Sequence, residues 1–231
     1  MSVFTLPNAS MLTVCQDTGL LATAVAQRIA DVAHQSIVAR GVCRIALAGG
    51  ETPRRCYEQL RHMPVDWVHV HIYFGDERCL PVGDEQRNDT MAKHALLQHV
   101  AISAANVHAI PAELGAQVAA SRYALELNQV MPLDLVLLGM GEDGHTASLF
   151  SGNPALQSRD SVVAVFDAPK PPPERVTLSL ATLNAARRKI FLVAGEGKRI
   201  ALQRIAQGEM LPAGQIANAE WYVDQAILPS E

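Results

Sequence analysis

No two of the four cysteines in this chain are spaced C-x-x-C; they stand at 15, 43, 56 and 79. A zinc ribbon, a thioredoxin-type redox pair and a small disulfide scaffold are therefore unsupported, and the thiols read as reduced and structural. No stretch approaches the roughly 18 to 20 apolar residues of a membrane-spanning helix. The N-terminus, MSVFTLPNASMLTVCQDTG, lacks the basic segment and apolar core of a secretory signal, so a cytoplasmic address with no membrane association is expected. Basic charge is also scarce. Nineteen Lys and Arg against 23 Asp and Glu leave a formal charge of -4 and a pI near 6.1, which argues against a nucleic-acid-binding surface. An anionic ligand must then be held by a few placed groups. The chain has no G-x-S-x-G nucleophile elbow, and the stretch before Lys198 lacks the glycine spacing and following Ser or Thr of a P-loop. His69 and His71 would share one face of a strand, but no acidic or cysteine neighbour completes a metal shell, and no metal is expected.

What is present is ordinary globular composition, 49% hydrophobic and 18% charged, in 231 residues. That length suits one large α/β domain, taken as residues 1–231. From Asp17 to Arg40 the residues Leu21, Val25, Ile29, Val32 and Ile37 recur at mostly helical spacing, with Thr18 as the expected cap and Gly41 as the stop. Strand-length apolar runs follow at Arg44–Ala48, Val68–Phe74, Leu133–Leu138, Val162–Phe166 and Ile190–Val193. Helical patterns lie between them, after Asn88, from about Gln117 to Gln129, and from near Lys198. Alternating helices and strands predict a mainly parallel, Rossmann-like sheet covered on both faces, with binding groups in the loops beyond the carboxyl ends of the strands. Pro169-Lys-Pro-Pro-Pro173 reads as a stiff extended loop.

Three loops carry candidate chemistry. Gly49-Gly50-Glu51-Thr52-Pro53 leaves a strand and enters a helix, with Thr52 as the expected N-cap; it is either a phosphate cradle or a well-capped glycine turn. Gly75-Asp76-Glu77-Arg78 sets two carboxylates beside a guanidinium, either a ligand-binding group or a solvated charge cluster. Gly139-Met-Gly141-Glu-Asp143-Gly144-His145-Thr146 contains a literal G-x-G-x-x-G, the dinucleotide fingerprint, with Asp160 and Asp167 downstream. Its helix, however, can run only from Thr146 to about Phe150 before Ser151-Gly-Asn-Pro154 breaks it. A histidine placed directly after the third glycine, beside Asp143, reads either as a neutral base at a ligand position or as an ordinary packing residue. Arg175 and Lys198 add cationic groups on neighbouring loops.

Together these stretches closely resemble the 6-phosphogluconolactonases, relatives of the glucosamine-6-phosphate deaminases. The matching segments are LAGGETPRRCYEQL (47–60), YFGDERCLPVGDEQRND (73–89), LDLVLLGMGEDGHTASLF (133–150), PPPERVTLSLATLN (171–184), FLVAGEGKR (191–199) and the tail around Trp221, nearly the whole chain. The resemblance implies hydrolysis of 6-phospho-D-glucono-1,5-lactone in the oxidative pentose phosphate pathway, with no cofactor, by a monomer or weak homodimer acting on this small molecule alone. It implies His145 as catalytic base, with Asp143 and Asp76 beside it. It also implies Gly49, Gly50, Thr52, Arg78, Asn88, Gly144, Arg175 and Lys198 as substrate or phosphate contacts. Relatives often carry serine where Glu51 stands; a carboxylate cannot donate to phosphate, so Glu51 is expected to point away. Related deaminases characteristically have tyrosine at the position of Arg78 and a glutamate-containing run at Thr146–Phe150, which disfavours isomerisation with deamination. A non-catalytic sugar-phosphate sensor and a dinucleotide-dependent oxidoreductase are the other readings to test.

Overall fold

The computed structural model describes residues 2–228. The chain begins with a hairpin of β1 (Ser2–Leu6) and β2 (Ser10–Cys15), followed by α1 (Thr18–Arg40). The apolar spacing that predicts α1 buries Leu21, Val25, Ile29 and Val32 on one side of it. Its cap is Asp17 rather than Thr18: the Asp17 carboxylate accepts the Leu20 N–H at 2.8 Å. A carboxylate there satisfies an orphan donor and faces the positive end of the helix dipole. Gly41 ends α1 in the left-handed region, φ 74°, and donates its N–H to Ile37 O at 2.7 Å.

The chain continues through β3 (Cys43–Leu47), α2 (Glu51–Leu60), β4 (Val70–Phe74) and the short β5 (Asp76–Arg78). Next come α3 (Asn88–Ala95), α4 (Ala116–Leu127) and β6 (Leu135–Leu138). The last part holds β7 (Val162–Val165), β8 (Arg175–Leu178), α5 (Leu180–Ala185), β9 (Arg188–Val193), α6 (Arg199–Ala206) and β10 (Glu220–Asp224). A seven-stranded sheet runs β1-β2-β10-β9-β6-β3-β4, parallel throughout except for the β1–β2 hairpin at its edge. Helices cover it, and β6 is buried at all four positions, which is why its sequence is an unbroken apolar run. This α/β architecture matches the expected class. The N-terminal hairpin and β10 lie outside the strands read from sequence; they complete one side of the sheet, where Trp221 of β10 stacks on Phe191 of β9 at 3.8 Å.

Two expectations need correction. The run at 162–166 does not join the parallel sheet: β7 pairs antiparallel with β8, and β8 with β5, in a separate three-stranded sheet. A parallel crossover needs a dozen or more residues, and the proline loop at 166–174 supplies too few, so β7 turns back on its neighbour. The strand expected from Val68 starts instead at Val70, because Trp67–His69 closes a 3-10 turn. His69 therefore leaves the strand and pairs with Asp66 at 2.8 Å, while His71 stacks on His108, so these two histidines do not converge.

Strand order reverses between β3 and β6: the chain builds outward from β3 to β4, then crosses to the other side for β6 and β9. A crevice opens at such a switch point beyond the carboxyl ends of the strands. The loops after β3, β4, β6 and β9 all end there.

Candidate active site

The loop after β6 is shaped by its glycines, each with a separate task. A side chain on Gly141 would place its Cβ 2.0 Å from His145 Nδ1 and 2.5 Å from an Asp143 oxygen. Glycine there makes room for the His145–Asp143 pair. Gly144 takes φ 81° and passes Leu211 where a Cβ would approach to 2.6 Å. No helix follows: Leu149 N–H returns to Thr146 O at 2.9 Å in a tight turn, and Ala147 sits at φ 48°. The short helix expected at 146–150 is absent, and with it the helix N-terminus that a dinucleotide pyrophosphate requires. Gly141→Ala should push the imidazole out of place; if turnover depends on that imidazole it falls by about 10²-fold, the cost of misplacing a reacting group by an ångström. Circular dichroism should remain native, and unchanged turnover would show that the imidazole tolerates displacement.

His145 Nδ1 lies 2.5 Å from Asp143 Oδ1, and its ring packs at 4.5 Å against Phe150. The carboxylate selects the tautomer with the proton on Nδ1, leaving the Nε2 lone pair without a partner among the described residues, at the cavity His145 lines. Burial lowers the imidazole pKa below its ordinary 6.5; the hydrogen bond and charge of Asp143 oppose this and do not overcome it. His145 is thus a neutral imidazole near pH 7. For Asp143, burial pushes the pKa up, but the hydrogen bond and charge of His145 outweigh it and hold the carboxyl below its usual value.

The strand period of two sorts the Asp-Glu-Arg run of β5. Asp76 and Arg78 line the cavity, whereas Glu77 turns away and is fully buried. Asp76 Oδ2 accepts the Ser148 hydroxyl at 2.6 Å. Asn88 Nδ2 donates to Asp76 O at 2.8 Å and to Asp76 Oδ1 at 3.2 Å. A Cβ on Gly49 would fall 1.9 Å from Asn88 Oδ1, so Gly49 is the slot that admits this amide. Arg78 donates Nη1–H to Gln86 O, while its buried Nε has no partner among the described residues. That free donor belongs to a residue facing the cavity.

The helix after the first glycine loop starts earlier than expected. Gly50, at φ 103°, is the N-cap of α2, Glu51 is its first residue, and Thr52 follows. Glycine can reach this φ without a Cβ penalty, so the backbone turns into the helix before Thr52 and takes the cap role from it. Gly49 and Gly50 line the cavity; Thr52 is not among the lining residues. Glu51 points away, paired with Arg54 at 2.7 Å and Arg55 at 2.9 Å, and those hydrogen bonds pull its carboxyl down to about 2. Tyr57 pins the loop from below, its hydroxyl donating to Ala48 O at 2.8 Å and accepting Ala48 N–H at 2.9 Å.

Cations complete the rim. Arg175 is only 5% exposed. It donates Nε–H to Pro172 O at 3.1 Å and Nη2–H to Lys170 O at 2.9 Å and Pro171 O at 3.2 Å, and its guanidinium lies over Phe150. It clamps the proline loop and, through that loop, brings Lys170 to the cavity. The Lys170 ammonium makes no ion pair among the described residues. Lys198, 3.9 Å from Glu142, closes the ring; burial lowers its pKa, with the Glu142 charge opposing. The cavity they surround has a volume of about 310 Å³. A larger cleft of about 490 Å³ beside α3 is lined mainly by apolar side chains such as Phe74, Leu97 and Val107, and the reactive groups are not in it. Chemistry therefore gathers in the smaller, polar cavity.

Of the residues singled out from sequence, His145, Asp76, Gly49, Gly50, Arg78, Asn88, Arg175 and Lys198 line this one cavity. Asp143 supports His145 from behind, Gly144 shapes the turn, and Thr52 stands aside. Sequence reasoning missed Lys170 and Ser148. The signal for Lys170 was a lone cation inside a proline run beside Arg175; Ser148 carried no local signal.

Comparison with known proteins agrees in extent. The family model for glucosamine-6-phosphate isomerases/6-phosphogluconolactonase matches residues 16–224. A 6-phosphogluconolactonase of Mycobacterium tuberculosis is 35% identical, covering 96% of this chain and 100% of that one. One from Synechocystis sp. is 38% identical over 77% of each chain. The crystal structure of 6-phosphogluconolactonase from Thermotoga maritima superposes with a TM-score of 0.88 at 27% identity, covering 94% of this chain and all of that one. No described helix is long and apolar enough to cross a membrane.

Proposed function

The chain belongs to the glucosamine-6-phosphate isomerase/6-phosphogluconolactonase family, and from that we propose that it hydrolyses 6-phospho-D-glucono-1,5-lactone to 6-phosphogluconate, with His145 activating the water. The observation that carries this reading is a neutral imidazole, its Nδ1 fixed by Asp143, opening onto a cavity ringed by Arg78, Lys170, Arg175 and Lys198. Four cations around about 310 Å³ suit a small phosphorylated ligand, and the negative carboxylate of Asp76 suits a sugar hydroxyl.

In the proposed reaction, His145 Nε2 takes a proton from water as its oxygen attacks the C1 carbonyl. The tetrahedral oxyanion collapses, the bond from C1 to the ring oxygen breaks, and the imidazolium returns the proton to that departing oxygen. Asp143 holds the ring in one tautomer and stabilises the imidazolium between the two transfers. Asp76, facing the same cavity, adds negative charge favouring that cation and accepts a substrate hydroxyl. The phosphate, remote from the reacting carbon, provides binding energy that orients it. The cluster of cations contacts that phosphate together with the backbone at the N-terminus of α2, where unpaired N–H groups and the helix dipole favour an anion.

The test is the loss of freshly prepared 6-phosphogluconolactone, corrected for spontaneous hydrolysis, run beside ammonia release from glucosamine 6-phosphate. Acceleration of the first alone is expected; acceleration of the second alone would replace this reading by the deaminase one. NAD(P)H fluorescence titration should give no binding. In the same assay, Arg175→Ala should mainly raise KM, by about 10- to 100-fold for a lost charge-assisted contact, because phosphate grip and loop position fail together. A fall confined to kcat would instead put Arg175 at the reacting carbon.

A further inference from the structure

Ser148 is completely buried and lies in the turn after the catalytic histidine. Its hydroxyl donates to Asp76 Oδ2 at 2.6 Å and lies 3.5 Å from Arg175 Nη1, which points toward it as a donor. Its own N–H donates to Thr177 Oγ1 at 3.2 Å, anchoring it to β8. The neighbouring Ala147 occupies the left-handed region at φ 48°, a conformation that L side chains rarely adopt. A backbone held there turns the chain so that Ser148 faces inward under the cavity floor. The serine thus joins three separate elements: the β6 loop, β5 through Asp76, and β8 through Thr177 and Arg175.

The partners of Asp76 give this contact its meaning. Asp76 is buried, yet its two carboxylate oxygens are held by neutral donors, Ser148 on Oδ2 and Asn88 on Oδ1, and by no salt bridge among the described residues. A carboxylate paired with an arginine would spend its charge on that arginine. One held by a hydroxyl and an amide keeps its orientation and leaves its charge for the cavity. The Ser148 bond is the shorter of the two, 2.6 Å against 3.2 Å, so it is the stronger restraint.

We propose that Ser148 is a positioning residue for the reaction, holding the Asp76 carboxylate toward the cavity and linking it to Arg175. This rests on the lactonase reading. In Ser148→Ala, kcat for 6-phosphogluconolactone should fall about 10- to 100-fold, the worth of a hydrogen bond to a charged group, with KM changed much less. Ser148→Cys, nearly the same size with a weaker donor, should lie between the two. The decisive measurement is a double-mutant cycle with Asp76→Asn: once Asp76 has lost its charge, removing Ser148 should add less than about twofold. Independent, multiplying effects of the two substitutions would overturn the proposal, as would wild-type kcat in folded Ser148→Ala. If the wild-type protein does not accelerate lactone loss, the lactonase reading fails on its own. A crystal structure of Ser148→Ala then decides the positioning claim: Asp76 in a new rotamer upholds it, and an unmoved carboxylate refutes it.

Discussion

Replacing His145 with alanine is expected to slow lactone hydrolysis by about 10²- to 10⁴-fold, the usual contribution of a positioned general base, while 6-phosphogluconate still binds. The expectation follows from separation of tasks in the cavity. The cations of Arg78, Lys170, Arg175 and Lys198 lie on other elements than the histidine, so truncating the imidazole leaves the anion grip intact. Stability should change little as well, because the ring makes one side-chain hydrogen bond, to a half-exposed Asp143. Turnover and product affinity measured on the same preparation therefore diverge. Near-normal kcat would remove His145 from the mechanism, and loss of product binding would mean that the histidine also builds the phosphate site.

The pH profile follows with a definite sign. In the proposed reaction the active form is the neutral imidazole, and burial holds its pKa below 6.5. Activity should be flat above that lowered value and fall on the acid side as pH drops through it. Asp143→Asn removes the charge and hydrogen bond that raise this pKa, so the acid limb should move further down. The amide can also present its N–H₂ to Nδ1, which would favour the wrong tautomer and lower the plateau. An acid limb that moves up in this variant would contradict the assigned pairing.

Much of this site was legible in the sequence because its chemistry hangs on strand ends, and strand ends are where apolar runs meet glycine. Leu133–Leu138 followed by Gly139 announces both a buried strand and an exposed loop; His145 in that loop read as a base or as a packing residue, and the family resemblance chose between them. The dinucleotide motif in the same loop misleads for a physical reason: a pattern of glycines cannot say what each one avoids. Gly141 avoids the imidazole and Gly144 avoids Leu211, neither of which involves a pyrophosphate. Thr52 lost its expected cap role because nothing local distinguishes it from Gly50 as the place where the backbone turns. The antiparallel pairing of β7 with β8 was hidden because a short apolar run marks a strand without naming its partner. Ser148 was invisible for the same reason at side-chain scale, since its partner Asp76 is 72 residues away.

The glutamate of β5 should show the largest effect on stability. Glu77 is fully buried and its carboxylate accepts three backbone N–H groups: Arg78 and Asn88 on Oε1, each at 2.8 Å, and Asp89 on Oε2 at 2.9 Å. Two of these are the first donors of α3, whose preceding residue Arg87 offers no side-chain cap. Glu77 therefore caps a helix from a different element and joins the Asp76 loop to Asn88. Arg87, itself buried, approaches Glu77 at 4.0 Å and is otherwise held by Asp89 at 2.7 Å and Glu113 at 3.1 Å. Glu77→Ala strands three donors and removes one neighbour of a buried guanidinium, which should cost about 3 to 5 kcal/mol in urea unfolding. That is a large part of the roughly 5 to 15 kcal/mol by which a domain is usually stable. Burial pushes the Glu77 carboxyl from its ordinary 4.5 up to about 7, against the pull of those three donors. Between these values the unfolded chain has released a proton that the folded chain keeps, so the Glu77 contribution to stability declines as pH rises through this window. The deficit of Glu77→Ala should accordingly be widest near the lower end and narrow toward the upper end. Glu77→Gln, which keeps one acceptor oxygen and cannot ionise, should lose less than Ala and abolish this part of the pH slope. A deficit in Glu77→Ala that widens as pH rises would mean that the three N–H groups hold an ionised carboxylate after all, and that α3 is capped by charge.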